Sequence, residues 1–66
     1  MSDAEKIVKE REPSARLHWK QCEMPICEII TAMGKQLGYA PIDHSRPLPE
    51  TADAAWQDAA HRMTRK

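Results

Sequence analysis

The sequence predicts an all-α fold, a helical hairpin of two main amphipathic helices with a short N-terminal helix or arm. In the middle of the chain, apolar residues from Ile26 to Leu37 fall at i, i+3, i+4, i+7 and i+11, the spacing of one helix face. Near the C-terminus, alanines, Trp56 and Met63 recur with the same period. The 66 residues make one small domain. Because so short a chain buries little surface, we expect a partner or a second copy to complete it.

Residues 1–13 form the predicted N-terminal arm or short helix. Ser2 and Glu5 have the spacing of a capping box, in which each side chain satisfies a free main-chain N–H. Pro13 closes the segment, because the residue before a proline is disfavoured in a helix. A helix this short is marginal without packing, so both an ordered helix and a frayed arm stay open.

The first main helix is interrupted by Pro25. A proline inside a helix costs about 3 kcal/mol, whereas the first turn tolerates it. We therefore favour a break, with a new helix beginning at Pro25. The alternative is one kinked helix from about Ser14 to Leu37.

Two glycines and several prolines mark the end of this helix. Gly34 lies inside it, where it either permits close approach of another helix or is tolerated on a solvent face. Gly38 is expected at the C′ position that follows a helix, and the proline-rich residues 39–49 are expected to form an ordered connector. The second main helix follows over residues 50–65, with Trp56 as its large anchor.

The connector also carries a resemblance. Residues 39–45, Tyr-Ala-Pro-Ile-Asp-His-Ser, followed by Leu-Pro-Glu at 48–50, are similar to the opening of the ryanodine-receptor repeat domain, which also occurs in phage proteins. The similarity covers under half of the chain, and the later glycine–tryptophan portion of that domain is absent. No residue role and no function is carried over from it.

Charge and hydropathy exclude some classes of function. Lys and Arg total ten and so do Asp and Glu. The chain therefore lacks the basic excess that is typical of a dedicated nucleic-acid binder. The basic residues 61–66 fit a helix C-terminus, with phosphate binding as the alternative. Apolar runs are far shorter than the roughly 20 residues of a membrane span, and the first residues lack the features of a signal peptide. We therefore expect a cytoplasmic protein with no membrane partner.

Cysteines and histidines are the candidates for chemistry. His18 and Cys22 would share a helix face, and Cys27, His44 and His61 add ligand types that suit zinc. The C-x2-C spacing of zinc sites is missing, so we expect free thiols, no metal and no cofactor. A thiolate of Cys22 or Cys27 activated by His18, or by the helical turn after Pro25, is the catalytic alternative. We expect no enzyme and no small-molecule substrate, because so small a chain can barely enclose one.

Protein binding is the function that we expect. The predicted contact set consists of large side chains on the helical stripes and near them: Trp19, Ile26, Ile30, Met33, Leu37 and Trp56. Tryptophan and methionine are favoured at interface cores, although each tryptophan also fits an internal core. The chain would then be an adaptor, regulator or inhibitor that covers another protein through apolar helix faces, or a homodimer. The alternative is a small DNA-binding regulator that uses the basic C-terminus with Arg16 and Lys20.

Overall fold

The computed structural model describes residues 3–65 and has an α+β fold, so the predicted all-α helical hairpin is wrong. Three antiparallel strands lie side by side in the order β1-β2-β3, with one helix before them and one after. The elements are α1 (Asp3–Arg11), β1 (Arg16–Lys20), β2 (Ile26–Ile30), β3 (Gln36–Pro41) and α2 (Leu48–Thr64). The terminal helices lie where helical segments were predicted, and the sheet replaces the whole of the first main helix.

The apolar stripe that begins at Ile26 belongs to strands because of how its isoleucines are buried. Ile29 is fully buried on the face turned towards the helices, while Ile30 points to the opposite face and is only 8% exposed. A strand buried on both faces has a short continuous apolar run, which periodicity alone does not distinguish from a helical stripe. The β-branched side chains of Ile26, Ile29 and Ile30 favour the extended conformation.

Both glycines have roles different from those predicted. Gly34 has φ of 83° in the turn between β2 and β3, a left-handed conformation that favours glycine. Gly38 lies in β3 directly under α2, so it is not a helix terminus. A Cβ atom there would clash with the amide nitrogen of Ala59 and lie 2.6 Å from its Cα. Gly38 therefore allows α2 to sit closely on β3.

The prolines also serve the sheet. Pro25 immediately precedes β2 and neither breaks nor kinks a helix; its carbonyl accepts a hydrogen bond of 3.1 Å from the Ile42 N–H. The predicted connector, residues 39–49, is shorter in the structure. Its first three residues belong to β3, and α2 begins at Leu48, where the following proline fits the first turn. Ser2, the predicted N-cap, lies outside the described residues.

The core lies between the sheet and the helices. α2 packs on β3 and β2, and α1 packs on α2. The largest fully buried side chains are Val8, Cys27 and Ile29, and Trp56 joins them from α2. Alanines supply the rest of the helix face: Ala55, Ala59 and Ala60. Because alanines and Gly38 add little bulk, one helix comes close enough to shield the centre of the sheet.

Candidate binding surface on the first strand

The side chains of the sheet divide into two faces. Directly opposed residues of neighbouring strands share a face, and Cys27 and Ile29 define the face that meets the helices. Their partners in β1 are Trp19 and Leu17, which therefore also point to the helix side. We call the opposite side the outer face. By the same register it carries Arg16, His18, Lys20, Ile26, Glu28, Ile30 and Tyr39.

A hydrogen-bonded group occupies the centre of the outer face. The Nδ1–H of His18 donates to Oε2 of Glu28 at 3.0 Å, and Nε2 of Gln36 donates to Oε1 at 3.2 Å. The bond from His18, the bond from Gln36 and the positive charge of Lys20 hold the pKa of Glu28 below its ordinary value, against the opposing effect of burial. Glu28 thus stays ionised at neutral pH, with both oxygens already engaged. The half-exposed ring of His18 is oriented by this bond.

The free edge of β3 is covered by α2. The main-chain N–H of Tyr39 points away from β2 and donates to the Asp58 carboxylate at 3.0 Å. The same carboxylate oxygen lies 3.0 Å from Nε of Arg62, whose guanidinium stands 5.5 Å from the centre of the Tyr39 ring. Side chains of α2 therefore occupy the position that another strand would need. We call this side of β3 the closed edge.

The direction of the Tyr39 N–H also determines the direction of the main chain in β1. Alternate residues of an antiparallel strand direct their N–H and C=O groups to opposite sides. Since Tyr39 points outwards, its partner Glu28 directs these groups towards His18 in β1. His18 therefore bonds inwards, and its neighbours Leu17 and Trp19 direct their main-chain groups away from the sheet. The hydrogen bond from the Ile42 N–H to the Pro25 carbonyl agrees with this alternation. Ile42 lies three residues after Tyr39, so its N–H points inwards where that of Tyr39 points outwards.

The outer side of β1 is the counterpart of the closed edge. Within residues 3–65, no strand pairs with this side of β1, which carries the outward main-chain groups of Leu17 and Trp19. Trp19 is 40% exposed and Leu17 is half-buried. We call this side the open edge. It offers main-chain donors and acceptors next to a large aromatic side chain.

The six predicted contact residues do not lie on one helical stripe. Trp19 lies at the open edge, and Met33 is 96% exposed in the turn between β2 and β3. The others are on the outer face or against the core: Ile26, Ile30, Leu37 and Trp56. Sequence reasoning missed Leu17 and Glu28, and it named His18 only as a candidate metal ligand or as a base for a cysteine. The alternation of polar and apolar residues over Arg16–Lys20 was the signal that indicated a strand there.

The predicted metal or catalytic role of the cysteines assumed that they lie on helices, whereas the structure places Cys27 in a strand and Cys22 in a turn. Cys27 lies in β2, where burial and then the charge of Glu28 raise the pKa of its thiol to about 11, so it is protonated at neutral pH. Cys22 is exposed in the turn after β1 and donates to the Met24 carbonyl. Among residues 3–65, no three His, Cys, Asp or Glu side chains are grouped so that they could hold a metal ion.

The basic residues of the predicted DNA-binding surface lie on different elements. Arg16 and Lys20 are on the outer face of β1. Arg62 is on α2, where it is engaged with Asp58. Lys66 lies outside the described residues.

Comparisons with known proteins give no further assignment. The chain matches no family model, no curated protein and no solved structure. The resemblance of residues 39–50 to a repeat domain gains no support from these comparisons. In the described part of the chain, both helices are too short or too polar to cross a membrane.

Proposed function

We propose that this chain is a small non-enzymatic protein-binding module that takes up an extended segment of another protein at its open edge. The observation that carries the proposal is that one edge of the sheet is covered and the other is not. Asp58 and Arg62 close the edge at β3, while Leu17 and Trp19 direct their main-chain groups outwards at β1. An extended peptide that joins such an edge gains main-chain hydrogen bonds, and its side chains provide specificity.

The means of covering a partner thus differs from the helix faces expected from the sequence. Trp56, the anchor of the predicted second stripe, is 6% exposed in the core, and Leu37 packs against that core. Trp19 retains the exposure that an interface residue needs, and tryptophan is a frequent source of binding energy. An adaptor, regulator or inhibitor would therefore act through β1.

Binding of DNA receives less support. Arg16 and Lys20 share the outer face with the ionised carboxylate of Glu28, and Arg62 is already engaged on another element. Phosphates would meet two cations beside a carboxylate, and not a continuous basic surface. This arrangement favours a protein partner over nucleic acid.

The test blocks the open edge without altering a side chain. A chain of 66 residues is within reach of chemical synthesis, so Trp19 can carry an N-methyl group in place of its outward N–H. The ladder between β1 and β2 uses the main chain of His18 and is left intact. Wild type, the N-methyl-Trp19 chain and Trp19→Phe, which keeps the N–H, are immobilised and exposed to proteins of the native host.

We expect a protein that wild type retains, that Trp19→Phe retains more weakly because its ring is smaller, and that N-methyl-Trp19 loses. Circular dichroism verifies that all three chains are folded. Equal retention by the N-methyl chain contradicts the proposal. If the chain instead retains nucleic acid, and the affinity falls steeply as salt is added, the DNA-binding alternative is favoured.

A further inference from the structure

We infer that the segment taken up at the open edge is an acidic–apolar strand, in which carboxylate side chains alternate with apolar ones over about five residues. This inference rests on the proposed function and names the chemistry of the partner. β1 is Arg16–Lys20, so a strand added beside it meets five residues in turn. The two faces of those residues impose different requirements on it.

The first requirement concerns charge. Arg16, His18 and Lys20 form one row on the outer face, at the strand that borders the open edge. Side chains of an added strand that point to this face lie directly opposite or diagonal to that row. Glu28 is one strand further in, and its carboxylate is engaged by His18 and Gln36. The incoming side chains therefore face the cations Arg16 and Lys20, which carboxylates complement.

The second requirement concerns apolar contact. Leu17 and Trp19 occupy the helix side of β1, and neither is fully buried. Alternate residues of an added strand point to this side, between its acidic positions. Apolar side chains there would shield the exposed part of Trp19. The alternation of the partner is thus the complement of the alternation in Arg16–Lys20.

A second copy of this chain fails the first requirement, although Leu17 and Trp19 of two copies could contact each other on the helix side. If two β1 strands paired antiparallel about His18, Arg16 would lie opposite Lys20 of the other copy at both ends. In a parallel pair each cation would lie beside its own equivalent. Like charges placed opposite one another destabilise a strand pair, so charge favours a different, acidic chain.

A single-stranded nucleic acid also fits less well than a peptide strand. The cations lie on the outer face, whereas Trp19 points to the helix side. One nucleic-acid strand that lies on the outer face has no access to that ring for stacking. A polypeptide strand contacts both faces at once, because its own side chains alternate.

The experiment uses synthetic peptides as probes. One peptide is Glu-Val-Glu-Val-Glu, its charge-reversed control is Lys-Val-Lys-Val-Lys, and oligothymidylate tests for nucleic acid. Binding is followed by the ¹H–¹⁵N spectrum of the full chain, in which the amides of Leu17 and Trp19 are expected to shift most. Two variants of equal charge change are compared, Lys20→Glu on β1 and Lys35→Glu, an exposed residue of the turn between β2 and β3.

We expect the acidic peptide to bind wild type and the basic peptide to bind at least about tenfold more weakly. Lys20→Glu should remove this preference, because Arg16 and the new carboxylate offset one another, and Lys35→Glu should leave it unchanged. N-methyl-Trp19 should abolish binding of either peptide. Equal binding of both peptides, an equal effect of the two variants, or preferential binding of oligothymidylate would overturn the inference. If no peptide binds while the host protein is still retained through the open edge, the alternation rule is wrong and protein binding stands.

Discussion

The two edges of the sheet are treated differently, and the difference follows from where α2 lies. α2 packs on β3 and β2, so its polar side chains reach round the edge at β3. There Asp58 accepts the outward N–H of Tyr39 and Arg62 covers the ring. The edge at β1 lies on the other side of the sheet. Its main-chain groups remain directed outwards beside Trp19.

This contrast indicates two ways of preventing unwanted strand pairing. The closed edge is protected by contact, since a side chain already satisfies the donor. The open edge is protected by charge, because Arg16 and Lys20 oppose pairing with a like strand. Protection by contact excludes every strand, whereas protection by charge still admits a strand of opposite charge. The open edge is therefore the edge suited to selective binding.

The largest expected effect on stability comes from Gly38→Ala, which disrupts the packing of α2 on β3 that produces the closed edge. The new Cβ would lie 2.6 Å from Cα and 2.8 Å from Cβ of Ala59, so α2 must move away from β3. We expect a loss of about 2–3 kcal/mol in the free energy of unfolding, measured by urea denaturation. That is most of the stability of a domain this small.

Gly34→Ala is the matched control. Its added Cβ meets nothing within 4 Å, so only the left-handed backbone of the turn is strained. A cost of about 1 kcal/mol is expected. If the two alanine variants were equally stable, close approach of α2 would not be what holds β3.

A smaller effect is expected from Asp58→Ala, which should convert the closed edge into a second open edge. The variant removes the acceptor of the Tyr39 N–H and the partner of Arg62. We expect a loss of about 1–2 kcal/mol, together with self-association detected by sedimentation at increasing concentration. Asp58→Asn keeps an acceptor oxygen and should associate no more than wild type, where the alanine variant associates more strongly. Identical sedimentation of the two variants would show that Asp58 does not protect this edge.

The smallest effect concerns the carboxylate behind the open edge. Because the pKa of Glu28 in the folded chain lies below its ordinary value of 4.5, the ionised carboxylate stabilises the fold above about pH 4.5. That contribution is lost as the pH falls through the folded value. Glu28→Gln should therefore be about 1 kcal/mol less stable than wild type at pH 7, with the difference shrinking towards pH 3. Denaturation at several pH values measures this, and a constant difference would contradict the assigned role of Glu28.

The predictability of the elements from the sequence varied along the chain. The helical period of the alanines and Trp56 located α2, and Pro13 bounded α1, because both helices present one apolar face to the core. The middle of the chain was misassigned. Ile26, Ile29 and Ile30 satisfy a helical period, yet they lie in a strand buried on both faces.

The candidate binding surface was predicted only in part. Trp19 was named because tryptophan is favoured at interface cores, and Arg16 and Lys20 were named for their charge. Their common strand was not foreseen, nor was the pairing of His18 with Glu28, ten residues apart in sequence. Such pairing depends on strand register, which no short-range period reveals.

The sequence by itself determined the C-terminal helix, the end of the N-terminal segment at Pro13, the balance of charge and the shortage of large apolar side chains, since these depend on local spacing and composition. Only the tertiary structure decided which edge is closed, which side chains share a face, and why Gly38 has no side chain. Those properties arise from contacts between segments distant in sequence, above all α2 against β3. Such contacts decide whether a main-chain N–H at a sheet edge is hydrogen-bonded within the chain, and the type of its own residue does not.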